Sequence, residues 1–107
     1  MSKKQEGKPE LGLVYKSTLE AIARVRRFGI NKHGNSEDWR TTTEFAHQDA
    51  MLRHLMAYID GEELDPESGE PHLSHLITTA SFEIERKYGQ AQKLVRYANK
   101  INLQDIQ

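Results

Sequence analysis

Residues 41–61 read TTTEFAHQDAMLRHLMAYIDG, and this stretch has the strongest helical periodicity in the chain. Its threonines and Glu44 offer a capping box at the start, and Gly61 marks the end. His47 and His54 lie seven residues apart and so share one side of the helix, two turns from each other. A second stripe, which we expect to be buried, consists of Phe45, Leu52, Leu55, Met56 and Ile59.

Further helices are predicted on both sides of this one. In the first helix, Ser17 and Glu20 form a capping box and Gly29 provides a left-handed end. A third helix is predicted over about 74–88 and a fourth over 90–103. The third helix is expected to bury Leu73, Leu76, Ile77, Ala80 and Ile84.

No alternating β pattern interrupts these periods, so the chain is predicted to be all-α. We expect a compact bundle of about four helices with a long acidic loop between the second and third. Residues 1–10 are predicted to form a disordered N-terminal arm, and residues 11–107 a single helical domain. Hydrophobic residues make up only 36% of the chain and charged residues 29%. We therefore expect a homo-oligomer in which a partner copy covers apolar surface.

The composition also excludes several classes of function. The net charge of −1 argues against a nucleic-acid polymer as the partner, because such binders carry a basic excess. The sequence has no cysteine, so a metal would need carboxylate, imidazole or water ligands. It has neither a secretory signal nor a run of about 20 apolar residues, so we expect no membrane partner and a cytoplasmic location.

The densest cluster of metal-ligating side chains lies between the second and third predicted helices. Six of the eleven residues from Asp60 to Glu70 are acidic, and His54, His72 and His75 flank them. Mg²⁺ prefers oxygen ligands, and Mn²⁺ also accepts imidazole. This segment is therefore a candidate metal site. A solvated acidic loop with structural or capping histidines is the alternative, since clustered carboxylates favour water.

Three other side chains are candidates for binding a nucleotide. Lys32 lies in a glycine-bounded loop after the first helix, where its ammonium can meet a phosphate, or the loop can be a solvated surface segment. Trp39 can stack on a purine base, or it can plug the space between helices. Arg53 can reach a phosphate, or it can form a helical ion pair with Asp49, four residues earlier. Both alternatives stay open for each of these residues.

The same residues are similar to those of a known family. The strings that carry the similarity are FGINKHG (28–34), DW (38–39), RH (53–54), GE (61–62), DPESG (65–69) and HLSH (72–75), and the family prefers other residues at Ile30, His33 and Asp38. At this spacing they resemble the N-terminal domain of the phage dATP/dGTP diphosphohydrolase family, over roughly residues 19–85. Members of that family are helical enzymes that cleave purine deoxynucleoside triphosphates to the monophosphate and pyrophosphate with a divalent metal.

The resemblance implies a role for each candidate residue. Mg²⁺ or Mn²⁺ would be held on the nucleotide by Glu62, Asp65 and Glu67, with His72 or His75. His54 or Glu67 would act as general base, Lys32 and Arg53 would hold phosphates, and Trp39 would pack on the purine. If the protein is encoded by a phage, the host cytoplasm is its expected location.

Two other classes of function remain open at this stage. In one, the chain is a non-catalytic phage protein that sequesters a nucleotide or a host defence signalling nucleotide. In the other, it is a structural or regulatory helical subunit. Metal-dependent release of pyrophosphate distinguishes the enzyme from both.

Overall fold

The computed structural model describes residues 7–89, which contain three α-helices: α1 (Lys16–His33), α2 (Glu44–Ile59) and α3 (His72–Tyr88). The all-α prediction is confirmed over this part of the chain, where helices are joined by turns and no strand forms. The predicted fourth helix, over 90–103, lies outside the described residues, as does most of the predicted N-terminal arm.

Two short 3₁₀ helices complete the described elements. One spans Leu11–Leu13 and precedes α1, and the other spans Asp38–Thr41 and lies between α1 and α2. We call the second of these the Trp39 turn. It packs against α3 and so ties the connection between α1 and α2 to the rest of the molecule.

α1 ends later than its sequence predicts. The helix continues through Gly29 to His33, and Gly34 ends it in the left-handed region with φ 91°. The prediction that Gly29 ends the helix is therefore wrong. A glycine inside a helix costs only about 1 kcal/mol, which a further helical turn offsets, whereas a left-handed end favours glycine strongly.

The helix starts also differ from the predicted capping boxes. α1 begins directly after Tyr15, so Ser17 lies inside the helix and does not cap it. In α2 the capping residue is Thr43, whose hydroxyl accepts a hydrogen bond from the Ala46 N–H. The threonine run therefore does cap α2, but at its third member and not its first.

α2 and α3 run antiparallel and form the most extensive helix pair in the described chain. Lys87 at the end of α3 pairs with Glu44 at the start of α2, and His72 at the start of α3 contacts His54 in the second half of α2. α1 packs on α3. Within residues 7–89, no helix combines the length and the apolar character that crossing a bilayer requires.

The apolar stripes of α2 and α3 are not buried within the protomer, which corrects the sequence prediction. Phe45, Met56 and Ile59 are 76%, 61% and 68% exposed. Of the predicted core residues, only Leu55, Leu76 and Ala80 are half-buried. The others are exposed: Phe45, Leu52, Met56, Ile59, Leu73, Ile77 and Ile84.

The side of α2 that carries its histidines faces the interior instead. His47 is buried, and His54 is half-buried. Within residues 7–89, Val25 is the one hydrophobic side chain in the buried class, and the other buried residues are polar or charged. Periodicity revealed the histidine side and the apolar side of α2. It could not show that the histidine side would face the interior and form polar pairs with α3.

Candidate functional site

The three helices and the Trp39 turn border a cleft of about 520 Å³. This volume is typical of sites that bind small molecules. Glu62 and His72 do not line the cleft, but His72 contacts His54, which does, and Glu62 contacts His72. The other seven of the nine predicted site residues do line it: Lys32, Trp39, Arg53, His54, Asp65, Glu67 and His75.

Three imidazoles meet at one wall of the cleft. His54 Nδ1 lies 2.8 Å from His72 Nδ1, and the His54 ring stacks on the His75 ring at 4.6 Å between centroids. His72 uses its other ring nitrogen, Nε2, to contact Glu62 Oε1 at 2.7 Å. These contacts form because α2 and α3 run antiparallel and because His72 and His75, three residues apart, share one side of α3.

The loop between α2 and α3 places one of its carboxylates beside these rings. Asp65 Oδ2 accepts hydrogen bonds from the Ser68 N–H at 2.9 Å and from the Ser68 hydroxyl at 3.1 Å. The same hydroxyl oxygen lies 2.6 Å from His75 Nε2. Asp65 is thus held half-buried, with its carboxylate 3.8 Å from His75 Nε2. Asp65 is ordered by its turn, whereas four other acids of the segment are exposed, as the solvated-loop alternative expects: Asp60, Glu62, Glu63 and Glu67.

The pKa values of His54, His75 and Asp65 all lie below their usual ranges. Burial lowers the pKa of His54, and the neighbouring His75 and His72 lower it further. Burial likewise lowers the pKa of His75. Burial would raise the pKa of Asp65, but the hydrogen bonds from Ser68 and the nearby imidazoles outweigh it, so the pKa lies below its usual range. Neutral imidazoles and an anionic carboxylate are the forms that bind cations.

The donor set fits a divalent metal ion. His54, Asp65 and His72 each offer one ligand atom, and these atoms lie within 4.8 Å of one another. Glu62 holds the Nε2 side of His72, which leaves the Nδ1 lone pair of His72 directed towards His54. A carboxylate on the far nitrogen of a ligating histidine is the usual way of orienting it. Two imidazoles and one carboxylate suit Mn²⁺ better than Mg²⁺, which prefers oxygen ligands.

The predicted phosphate-binding cations are paired with carboxylates. Lys32 Nζ lies 2.7 Å from Glu67 Oε2, an ion pair between α1 and the acidic loop beside the cleft. Glu67 therefore contacts Lys32 rather than the imidazole cluster. Arg53 pairs with Asp49, which is the helical ion pair that was one of its two predicted roles.

Trp39 lies at the other end of the cleft in a stack of its own. Its ring is parallel to the Phe82 ring, with centroids 4.9 Å apart, and the Arg40 guanidinium lies 4.5 Å from its centroid. Arg26 covers Phe82 at 5.1 Å. Stacking a purine on Trp39 would thus require Arg40 or Phe82 to move, although Trp39 borders the cleft as it stands.

The comparisons with known proteins can be set against this geometry. A family model described as dATP/dGTP diphosphohydrolase, N-terminal, matches residues 1–94. The chain belongs to this family. The match includes all three helices and every candidate site residue, and it confirms the resemblance drawn from the sequence. Neither the curated proteins nor the solved structures gave a significant match.

This member of the dATP/dGTP diphosphohydrolase family also has a buried polar group that the sequence analysis missed. Glu83 Oε2 pairs with His47 Nδ1 and with Arg86 Nη2, the latter at 2.6 Å. The hydrogen bond with His47 lowers the pKa of Glu83. The only sequence signal for this group was that His47 shares a side of α2 with His54. The partner on α3 follows from the antiparallel register, which the sequence does not reveal.

Proposed function

We propose that this chain is a metal-dependent nucleotide pyrophosphohydrolase that cleaves dATP and dGTP to the monophosphate and pyrophosphate. The observation on which this rests is the convergence of His54, Asp65 and His72 at the wall of a cleft of nucleotide-binding size. The description of the family supports the substrate class.

In this proposal the ligands differ from those expected from the sequence. His54, Asp65 and His72 hold Mn²⁺ or Mg²⁺, and Glu62 orients His72. When bound, the cation neutralises phosphate charge and lowers the pKa of a coordinated water. The His75 ring stacks on His54 and is hydrogen-bonded to the Ser68 hydroxyl, and so it holds the His54 ring in place. The role of His54 thus changes from the general base expected from the sequence to a metal ligand, and the role of Glu62 changes from a metal ligand to a positioning residue.

The charge balance of the cleft supports a cation that accompanies the substrate. Among the residues that line the cleft, Arg26, Lys32 and Arg53 are matched by three acids, Asp38, Asp65 and Glu67. Such a cleft has no formal positive excess, whereas a triphosphate carries several negative charges. A divalent cation supplies the missing positive charge.

In this proposal Glu67 is the general base, and substrate binding releases it from its ion pair with Lys32. A phosphate oxygen competes for the Lys32 ammonium, and the Glu67 carboxylate is then released into the cleft. Glu67 can accept a proton from the attacking water there. Arg53 can exchange Asp49 for phosphate in the same way, and Trp39 borders the space left for the purine.

The direct test is an assay of pyrophosphate release from dATP and dGTP with Mn²⁺, with Mg²⁺ and with EDTA. We expect turnover with Mn²⁺, less with Mg²⁺ and none with EDTA. Asp65→Asn should lower kcat by on the order of 10²-fold to 10³-fold, because it removes an anionic ligand. Asp60→Asn is the matched control, since it removes an exposed carboxylate from the same loop.

Absence of pyrophosphate with either metal would contradict the proposal. If a purine nucleotide still raised the Tm in that case, the alternative of a non-catalytic protein that sequesters nucleotides would be favoured.

Glu67→Gln separates the proposed base from a structural role. We expect kcat to fall by about 10²-fold or more, the general-base contribution, while the Tm changes little because Glu67 is exposed. Thermal melts followed by circular dichroism provide the second measurement. Unchanged turnover would mean that Glu67 serves only to hold Lys32.

A further inference from the structure

α2 and α3 present a large apolar surface that nothing in the described chain covers. We call it the outer face. It consists of four side chains from α2 and four from α3, all of them exposed: Phe45, Leu52, Met56, Ile59, Leu73, Ile77, Ile84 and Tyr88.

The outer face is one continuous strip on the side of the helix pair away from the cleft. Because the helices are antiparallel, Phe45 lies at the same end as Ile84, and Ile59 lies at the same end as Leu73. On both helices most of the residues that line the cleft project from the opposite side, as His54 does on α2. Covering the outer face would therefore leave the cleft open.

The area of the outer face matches that of a stable protein interface. A large apolar side chain has on the order of 100 Å² of surface to bury. The eight side chains together offer about 800 Å², which is what each partner contributes to an interface of standard size. A patch of this size is at or above the upper end for a monomeric protein.

The interior of residues 7–89 indicates that this face needs a cover. Val25 is the one buried hydrophobic residue among residues 7–89. Burial of apolar surface is the main favourable term in folding, and because the interior of the described residues is polar, covering the outer face should contribute much of the stability. A second copy of the chain is a partner that is present wherever the protein is made.

We infer that the outer faces of two copies pack together about a two-fold axis to form a homodimer. In the dimer, α2 and α3 of one protomer pack face to face against α2 and α3 of the other and form a four-helix bundle. Each protomer keeps its own cleft on the outside. The inference rests on the exposed apolar area and is independent of the proposed catalytic activity.

Sedimentation equilibrium of the full chain tests the inference. We expect twice the 12.3 kDa mass of one chain. A charge at the centre of the strip should shift the mass to 12.3 kDa, and Leu52→Glu and Ile77→Glu are the variants. Leu13→Glu is the matched control, because Leu13 is an exposed leucine outside the outer face and its substitution should leave the dimer intact.

Cross-linking keeps the inference testable if the glutamate variants fail to fold. The chain has no cysteine, so Leu52→Cys and Ile77→Cys each introduce a unique thiol. A short bis-maleimide should link two copies of at least one of these variants and should not link copies of Leu13→Cys. A wild-type protein that sediments as a monomer would overturn the inference. A dimer that neither outer-face thiol can cross-link would also overturn it, because its interface would lie elsewhere.

Discussion

At the scale of single residues, the His54 ring contacts both the His72 ring and the His75 ring. Burial and mutual repulsion favour the neutral form of His54, and burial favours that of His75. Asp65 opposes this effect on both rings, but it does not outweigh it. His54 and His75 therefore resist protonation at pH values where an isolated exposed histidine would begin to charge.

This arrangement predicts that acid destabilises the metal-free protein in a defined range. The ordinary pKa of 6.5 applies to His54 and His75 in the unfolded chain, and the folded values are lower. Between the two values the unfolded state binds more protons, so the free energy of unfolding should fall as the pH drops below 6.5. Urea denaturation in EDTA at a series of pH values measures this effect.

The double variant His54→Gln/His75→Gln is the control for that series. Glutamine does not titrate, so the slope between pH 6.5 and the lowered pKa values should become shallower. Equal slopes in the variant and the wild type would assign the effect to other groups.

Most residues of the candidate site could be named from the sequence, but their contacts with one another could not be predicted. Residue type and spacing indicated the imidazoles, Asp65 and the cations. They could not show that Glu62 bonds to the far nitrogen of His72 or that Glu67 pairs with Lys32, because both depend on how the loop folds back. Trp39 was left between two interpretations for the same reason, and its partner Phe82 is 43 residues away in sequence.

At the scale of elements, the two glycines near the end of α1 should respond in opposite ways to the same substitution. Gly29 lies inside the helix, and an added Cβ atom would meet nothing within 4 Å. Gly29→Ala should therefore raise the free energy of unfolding by about 1 kcal/mol. Gly34→Ala should lower it by about 1–2 kcal/mol, because Gly34 is left-handed.

Guanidinium denaturation of the two variants beside the wild type measures both effects. Destabilisation by Gly29→Ala would indicate that α1 ends at Gly29 in solution, as the sequence alone had predicted.

Helix positions were easier to predict than helix faces. The apolar repeat located α2 and α3 to within a few residues, because tertiary packing reinforces an amphipathic pattern. The same repeat says only that an apolar side needs cover, and it does not say which molecule provides that cover. In α2 the polar side pairs inward with Glu83 and His72, and this pairing turns Phe45 and its neighbours outward.

At the scale of the whole molecule, the low hydrophobic content of the chain agrees with the polar interior of residues 7–89. Composition alone indicated that a partner was needed, and the structure adds the surface at which we propose it binds. The stability of such a protein should depend on how much of it is assembled.

The Tm should therefore rise with protein concentration. Raising the concentration about a hundredfold should increase the Tm by several degrees if folding and association are coupled, because mass action favours the dimer. Differential scanning calorimetry measures this effect. Leu52→Glu should lower the Tm and remove its dependence on concentration, and a wild-type Tm that is constant over the same range would argue for a stable monomer.

The stack around Trp39 has a practical consequence. Trp39 is the one tryptophan in the chain, and it lies between Phe82 and Arg40 at the border of the cleft. Its ultraviolet emission therefore comes from a single known position, and a ligand that displaces the guanidinium changes the surroundings of the fluorophore. The unlabelled protein thus contains its own optical reporter, with which the proposed binding of a nucleotide can be tested by titration before any catalytic assay is established.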